Sequence, residues 1–159
     1  MNKKHGILFI LILLCDQISK WFVASNLSLG ESIEVIPGFF DITYLENKGA
    51  AWGMLEGKML FFLIVAVLAL GFMFYCYRRS EPGDIFVRLG LLSMMSGTIG
   101  NFIDRVLFGY VRDFLSFDIF GYAFPVFNVA DVALCIGVFL VIVSVFLEEY
   151  CGGANTCEK

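Results

Sequence analysis

The chain has 159 residues, 59% of them hydrophobic and only 16% charged, with 18 phenylalanines, 11 basic against 15 acidic side chains and a net charge of −4. Water-soluble domains carry about 25% charge, so this composition needs lipid over much of its surface, and it offers no basic face for nucleic acid. A lone histidine, His5, and five cysteines without a C-x-x-C pair exclude histidine-based triads and the common zinc motifs.

The first apolar run, Gly6 to Cys15, follows Lys3-Lys4 in the manner of a secretory signal. No small-residue cleavage site follows, and Leu14 stands where a lipoprotein-type site before Cys15 wants a small side chain. The run is too short to span a membrane alone. A retained helix over about 6–24, continuing through Asp16, Gln17 and Lys20, is therefore expected. Asp16 and Lys20 are four apart, acid first, which suits a pair that orients the helix end. Serine–lysine catalysis by Lys20 with Ser19 or Ser25 is disfavoured, because adjacent residues on a helix diverge.

An outer loop over about 25–58 comes next, too long for a bare helix connection. Pro37-Gly38 marks a turn, and Phe40, Ile42 and Tyr44 alternate with Asp41 and Thr43 as a short strand would. The second span, 59–77, has no charge and lies between Lys58 and Arg78-Arg79; at 1.5 Å per residue it is about 28 Å long. The third, about 85–105, carries Ser93, Ser96, Gly97 and Gly100 at spacings that let helices approach closely. A second outer loop, about 106–125, includes Tyr110 to Phe114 as extended chain. The fourth span, 126–147, holds Asn128 and Asp131 near its start, which puts Asp131 about 7–8 Å along the helix.

The fold class is thus an all-α membrane protein: four transmembrane helices and a small extracytoplasmic β-sheet in a single integral-membrane domain over 1–159. Lys3, Lys4, Arg78, Arg79 and Arg88 flank one side, which makes both termini cytoplasmic under the positive-inside bias. Cys151 and Cys157 then fall in a reducing tail as free thiols. Whichever side is inside, alternation gathers Asp16, Lys20, the first loop, Asn101, Asp104, Arg105, Asn128 and Asp131 at one face. Function belongs there.

Ionisable groups in a span cost roughly 2.5–3.5 kcal/mol each at the helix centre. Asp113 and Asp131 could share a proton at one partly dry site and work as an acid–base pair. Equally, Asp131 could cap its helix or pair with Arg105, leaving Asp113 a surface acid. Arg105 could bind a phosphate or a carbonyl, or neutralise the acids beside it. The residues alone leave these open.

Five blocks in order resemble the lipoprotein signal peptidases, or signal peptidase II. They are Asp16 with Lys20, Asn47-Lys48-Gly49-Ala50-Ala51-Trp52-Gly53, Gly100-Asn101-Phe102-Ile103-Asp104-Arg105, Val111-Arg112-Asp113-Phe114 and Phe127-Asn128-Val129-Ala130-Asp131. The resemblance implies an aspartyl endopeptidase of the bacterial inner membrane that needs no metal or organic cofactor. Its substrates would be diacylglyceryl-prolipoproteins among membrane lipids, cut before the lipidated cysteine, and globomycin-type peptides would inhibit it. It implies Asp113 and Asp131 as the catalytic pair. Asp16, Lys20, Asn47, Gly49, Asn101, Asp104, Arg105, Asn128 and Ala130 would bind substrate or support the site. Ser96 replaces a glycine common in the family, and Arg112 replaces an apolar residue. In an extended segment Arg112 should point away from Asp113. A small four-helix transporter or proton relay is the competing reading, and it would need polar residues through the bilayer midplane.

Overall fold

A computed structural model describes residues 3–49 and 54–152, with backbone alone at 148–152. The Ala50–Gly53 part of the second block, the side chain of Cys151, and Cys157 lie outside the described residues. Four helices are each long and apolar enough to cross a membrane: α1 (Lys3–Asn26), α2 (Met59–Arg79), α3 (Ile85–Phe108) and α4 (Val129–Gly152, its spanning part ending at Leu147). They overlap the four expected spans, and α1 runs unbroken past Cys15.

The helices are turned inside out relative to those of a soluble bundle. Among its described residues α1 buries Asp16, Lys20 and Val23, while Ile7, Leu11, Ile18 and Phe22 are exposed. Lipid accepts the apolar face, so the polar groups collect between helices, where they can pair. The central helix is α3, which packs against all three others. Small residues permit this: Ser96 donates its hydroxyl to the Phe9 carbonyl at 3.2 Å, and Gly97 and Gly100 lie against Ala130 and Asp16. Gly90 and Gly137 bring α3 and α4 equally close; a Cβ on Gly137 would come within 2.6 Å of the Gly90 carbonyl oxygen. At the other end of the bundle, His5, Tyr77 and Arg88 tie α1, α2 and α3 through the Tyr77 hydroxyl.

The loops build one antiparallel sheet in the order β1 (Ser32–Ile36), β2 (Phe40–Asn47), β3 (Val111–Ile119) and β4 (Tyr122–Ala123). The two expected extended segments became β2 and β3, both longer than anticipated; β1 and β4 were not foreseen. Pairing between β2 and β3 slips by one residue: Ile42 opposes Leu115, but Leu45 opposes Asp113 and Asn47 opposes Val111. Tyr44, at this bulge, packs with Val23, Leu27 and Phe114, which fastens the sheet to the end of α1.

One boundary needs correcting. The fourth helix begins at Val129 rather than 126, because Phe127 is held extended by backbone bonds with Leu115 (3.1 and 2.8 Å) and Phe114 (2.9 Å). Asp131 therefore sits in the first turn of α4, not a turn and a half inside it.

Candidate active site

Three helix ends and the sheet meet at one place, and every candidate residue is there. The first turn of α4 is closed by a reciprocal cap. The Asp131 N–H donates to Asn128 Oδ1 at 3.1 Å, and the Asn128 N–H donates to Asp131 Oδ2 at 3.2 Å. The capping role that competed with catalysis for Asp131 is thus real, and it leaves Oδ1 to accept 2.7 Å from Asn101 Nδ2.

Asp113 reaches the same spot from β3. Alternation along the strand aims Val111 and Asp113 at a cavity and Arg112 behind it, as expected for extended chain. Asn128 Nδ2 donates to Asp113 Oδ1 at 2.6 Å, and Asn47 Nδ2 donates to Oδ2 at 2.8 Å. Asn47 lies diagonally across the β2–β3 pair, and its own Oδ1 accepts the Gly49 N–H at 2.9 Å. Asn128 thus touches both carboxylates.

Asp113 is 3% exposed, and that burial pushes its carboxyl up to about 7, with the negative charge of Asp131 adding to the shift against the Asn47 and Asn128 bonds. The folded protein consequently holds a proton there between about pH 4 and 7 that the unfolded chain has released. Stability should fall as pH rises through this window. Asp113→Asn should flatten that part of a plot of thermal midpoint against pH. An unchanged slope would show that Asp113 does not hold the proton.

Behind the pair lies a buried ionic layer. Lys20, 0% exposed, is 2.9 Å from Asp16 Oδ2, 3.6 Å from Asp104 Oδ2 and 2.8 Å from Asn101 Oδ1. Asp16 accepts the Ala130 N–H at 2.8 Å, which joins α1 to the start of α4. Asp104 takes a forked bond from Arg112, Nη2 to Oδ1 at 2.7 Å and Nε to Oδ2 at 3.1 Å, plus the Arg112 N–H at 2.9 Å. Ser19 donates to the Asp16 carbonyl, and Lys20 is committed to acids and an amide, so the pair forms no serine–lysine site. Gln17 was missed as a site-supporting residue. It donates to Asp16 and to the Gly100 carbonyl and accepts from Arg112, and nothing in its sequence context distinguishes it from a surface glutamine.

In front of the carboxylates is a cavity of about 770 Å³ with mostly apolar walls. Phe62, Val65 and Ala69 of α2 face Val132, Cys135 and Ile136 of α4, with Asn47, Gly49, Asn101, Arg105, Asp113 and Asp131 at the polar end. Arg105 donates to the Gly49 carbonyl at 3.1 Å and lies 4.7 Å over the Phe62 ring, at the end of the cavity where Asp113 and Asp131 stand. Among the described residues the buried carboxylates gather on the side of the bundle that carries the sheet, and α2 carries no charge from Met59 to Tyr77. This arrangement does not favour a proton relay.

Comparison with known proteins agrees with this architecture. A family model described as Signal peptidase (SPase) II matches residues 8–147. Lipoprotein signal peptidases of Staphylococcus aureus, from strains MRSA252 and JH9, are 41% identical over 153 residues, covering 93% of this chain and 94% of each relative. A bacterial membrane enzyme solved by the in meso method at 2.3 Å superposes with a TM-score of 0.88 at 39% identity, over 98% of this chain and 93% of its own. A second such structure, at 1.9 Å, gives 0.82 at 41% identity over 89% and 92%. Sequence identity near 40% and a shared fold thus extend over nearly the whole length of both partners, and the chain belongs to the signal peptidase II family.

Proposed function

We propose that this peptidase is of the aspartic type, that Asp113 and Asp131 are its catalytic pair, and that it removes signal peptides from diacylglyceryl-prolipoproteins by cutting before the lipidated cysteine. The observation that carries this is Asn128 bonded to both carboxylates at the polar end of an apolar cavity. One ionised aspartate takes a proton from water as the oxygen attacks the scissile carbonyl carbon. The protonated partner donates to the carbonyl oxygen; the tetrahedral diol then collapses with cleavage of the C–N bond as the first aspartate passes its proton to the leaving nitrogen and the partner takes a hydroxyl proton back.

A substrate of this kind is a signal helix with acyl chains on its cysteine, so it must arrive sideways from lipid. The walls of α2 and α4 suit its apolar parts, and Asn47, Gly49, Asn101 and Arg105 can hold the peptide at the polar end. Asp16, Lys20, Asp104, Asn128 and Ala130 support the pair from behind. Globomycin-type peptides would compete for the same cavity. The chain works as one integral-membrane unit in the bacterial cytoplasmic membrane, with both termini cytoplasmic and the site at the outer face. The direct test is cleavage of a diacylated prolipoprotein by the purified protein; failure to cut it would end this assignment. For orientation, Cys157 should react with a membrane-impermeant thiol reagent only after cells are opened. Labelling in intact spheroplasts would reverse the topology.

A further inference from the structure

Resting on the catalytic reading above, we propose that Lys20 is a positioning residue for the aspartate pair. Its ammonium fixes the Asn101 amide with Nδ2 toward Asp131, so that the shared proton rests on Asp113.

An ammonium only donates, whereas the two ends of an amide differ, so whichever end meets Lys20 must be the oxygen. Asn101 Oδ1 is 2.8 Å from Lys20 Nζ and also accepts from Asn128 Nδ2 at 3.1 Å. Nδ2 is left 2.7 Å from Asp131 Oδ1; a flipped amide would set a carbonyl oxygen against that carboxylate. Asn128 is locked the same way. Its Oδ1 is taken by the Asp131 N–H, so its Nδ2 must face Asp113 and Asn101.

These orientations make the two aspartates unequal. Asp131 accepts from an amide whose far end rests on a buried cation, accepts the Asn128 N–H, and sits in the first turn of α4, where the helix dipole favours negative charge. Asp113 sits on a strand, and among the described residues its carboxylate accepts from the neutral side-chain amides of Asn47 and Asn128. The charges behind the pair cancel, with Asp16 and Asp104 set against Lys20 and Arg112. That layer therefore adds no net charge; Arg105, a cation at the polar end of the same cavity, attracts both carboxylates, and the amides set the two apart. Asp131 keeps the charge and activates water; Asp113 holds the proton for the carbonyl oxygen.

The discriminating variant is Asn101→Asp. It keeps an acceptor for Lys20 and for Asn128 and replaces the donor to Asp131 by a carboxylate oxygen, whose charge Lys20 can meet, so the fold should survive. With a diacylated prolipoprotein as substrate, kcat at neutral pH should fall roughly 100-fold. The ascending limb of the pH–rate profile should move up by about one unit. The second test replaces the orienting ion pair by Lys20→Met with Asp16→Asn. This should lower kcat roughly tenfold or more when residue 101 is Asn, but less than about twofold in an Asn101→Leu background, because Lys20 then has no amide to orient. An unmoved pH limb in Asn101→Asp, or equal losses in both backgrounds, would overturn the proposal and leave the dyad standing. Cleavage by Asp113→Asn or Asp131→Asn protein would remove the catalytic reading and this proposal together.

Discussion

Purified Asp113→Asn and Asp131→Asn proteins should each lose cleavage of a diacylated prolipoprotein by roughly 10³-fold while remaining folded. Asparagine keeps the shape of aspartate and can still accept one of the two bonds that each carboxylate receives, but it cannot take or return a proton. The two side chains act on one water and one carbonyl, so the double variant should be little slower than either single one. Multiplying losses would mean two independent roles rather than a pair. The pH–rate profile of the unaltered enzyme should be a bell whose limbs belong to the pair as a unit. Appreciable turnover by either single variant at its best pH would sink the mechanism.

The largest loss of stability should come from Asp104→Leu. Asp104 is fully buried and answers both Arg112 and Lys20, so its removal strands cationic groups in a low-dielectric setting at a cost of about 3–5 kcal/mol. Arg112→Leu should be damaging for the complementary reason, because it withdraws the forked bond from Asp104. Replacing both by leucine removes the forked pair as a unit. Its thermal midpoint should therefore lie above that expected from adding the single losses. Strict additivity would show that the two side chains are held separately, and that the base of β3 is fixed by something else.

Sequence reasoning found the spans because a bilayer imposes a length and a composition that residues 59–77 satisfy without ambiguity. It also found the face that matters, since alternating helices force Asp16, Asn101 and Asp131 to one end whatever their contacts. The pairing of Asp113 with Asp131 was one of the readings the residues left open, and only the family resemblance singled it out. Asp113 becomes a partner of Asp131 only because Phe127 joins β3 and delivers Asn128 between them, a tertiary event with no local signature. The same bridge delayed the start of α4, where hydropathy alone ran the helix back to residue 126. Gln17 and the Gly90–Gly137 contact were invisible for a related reason: small or neutral side chains acquire meaning only from what lies opposite. Arg112 was legible in direction, from strand alternation, but its partner Asp104 was not.

The single-residue slip between Ile42 and Leu45 decides which side chain of β2 accompanies Asp113. Continued in the register of its first half, the strand would set Glu46 opposite Val111, on the face that looks into the cavity, and would turn Asn47 away. A third carboxylate would then stand beside two that already compete for one proton, and the neutral donor to Asp113 would be gone. The extra residue instead sends Glu46 to the Arg112 side and gives the cavity an amide. Strand length here acts as a selector of charge: the ionisation state of the site is written into how many residues lie between two hydrogen-bonded pairs, independently of which acids the sequence supplies.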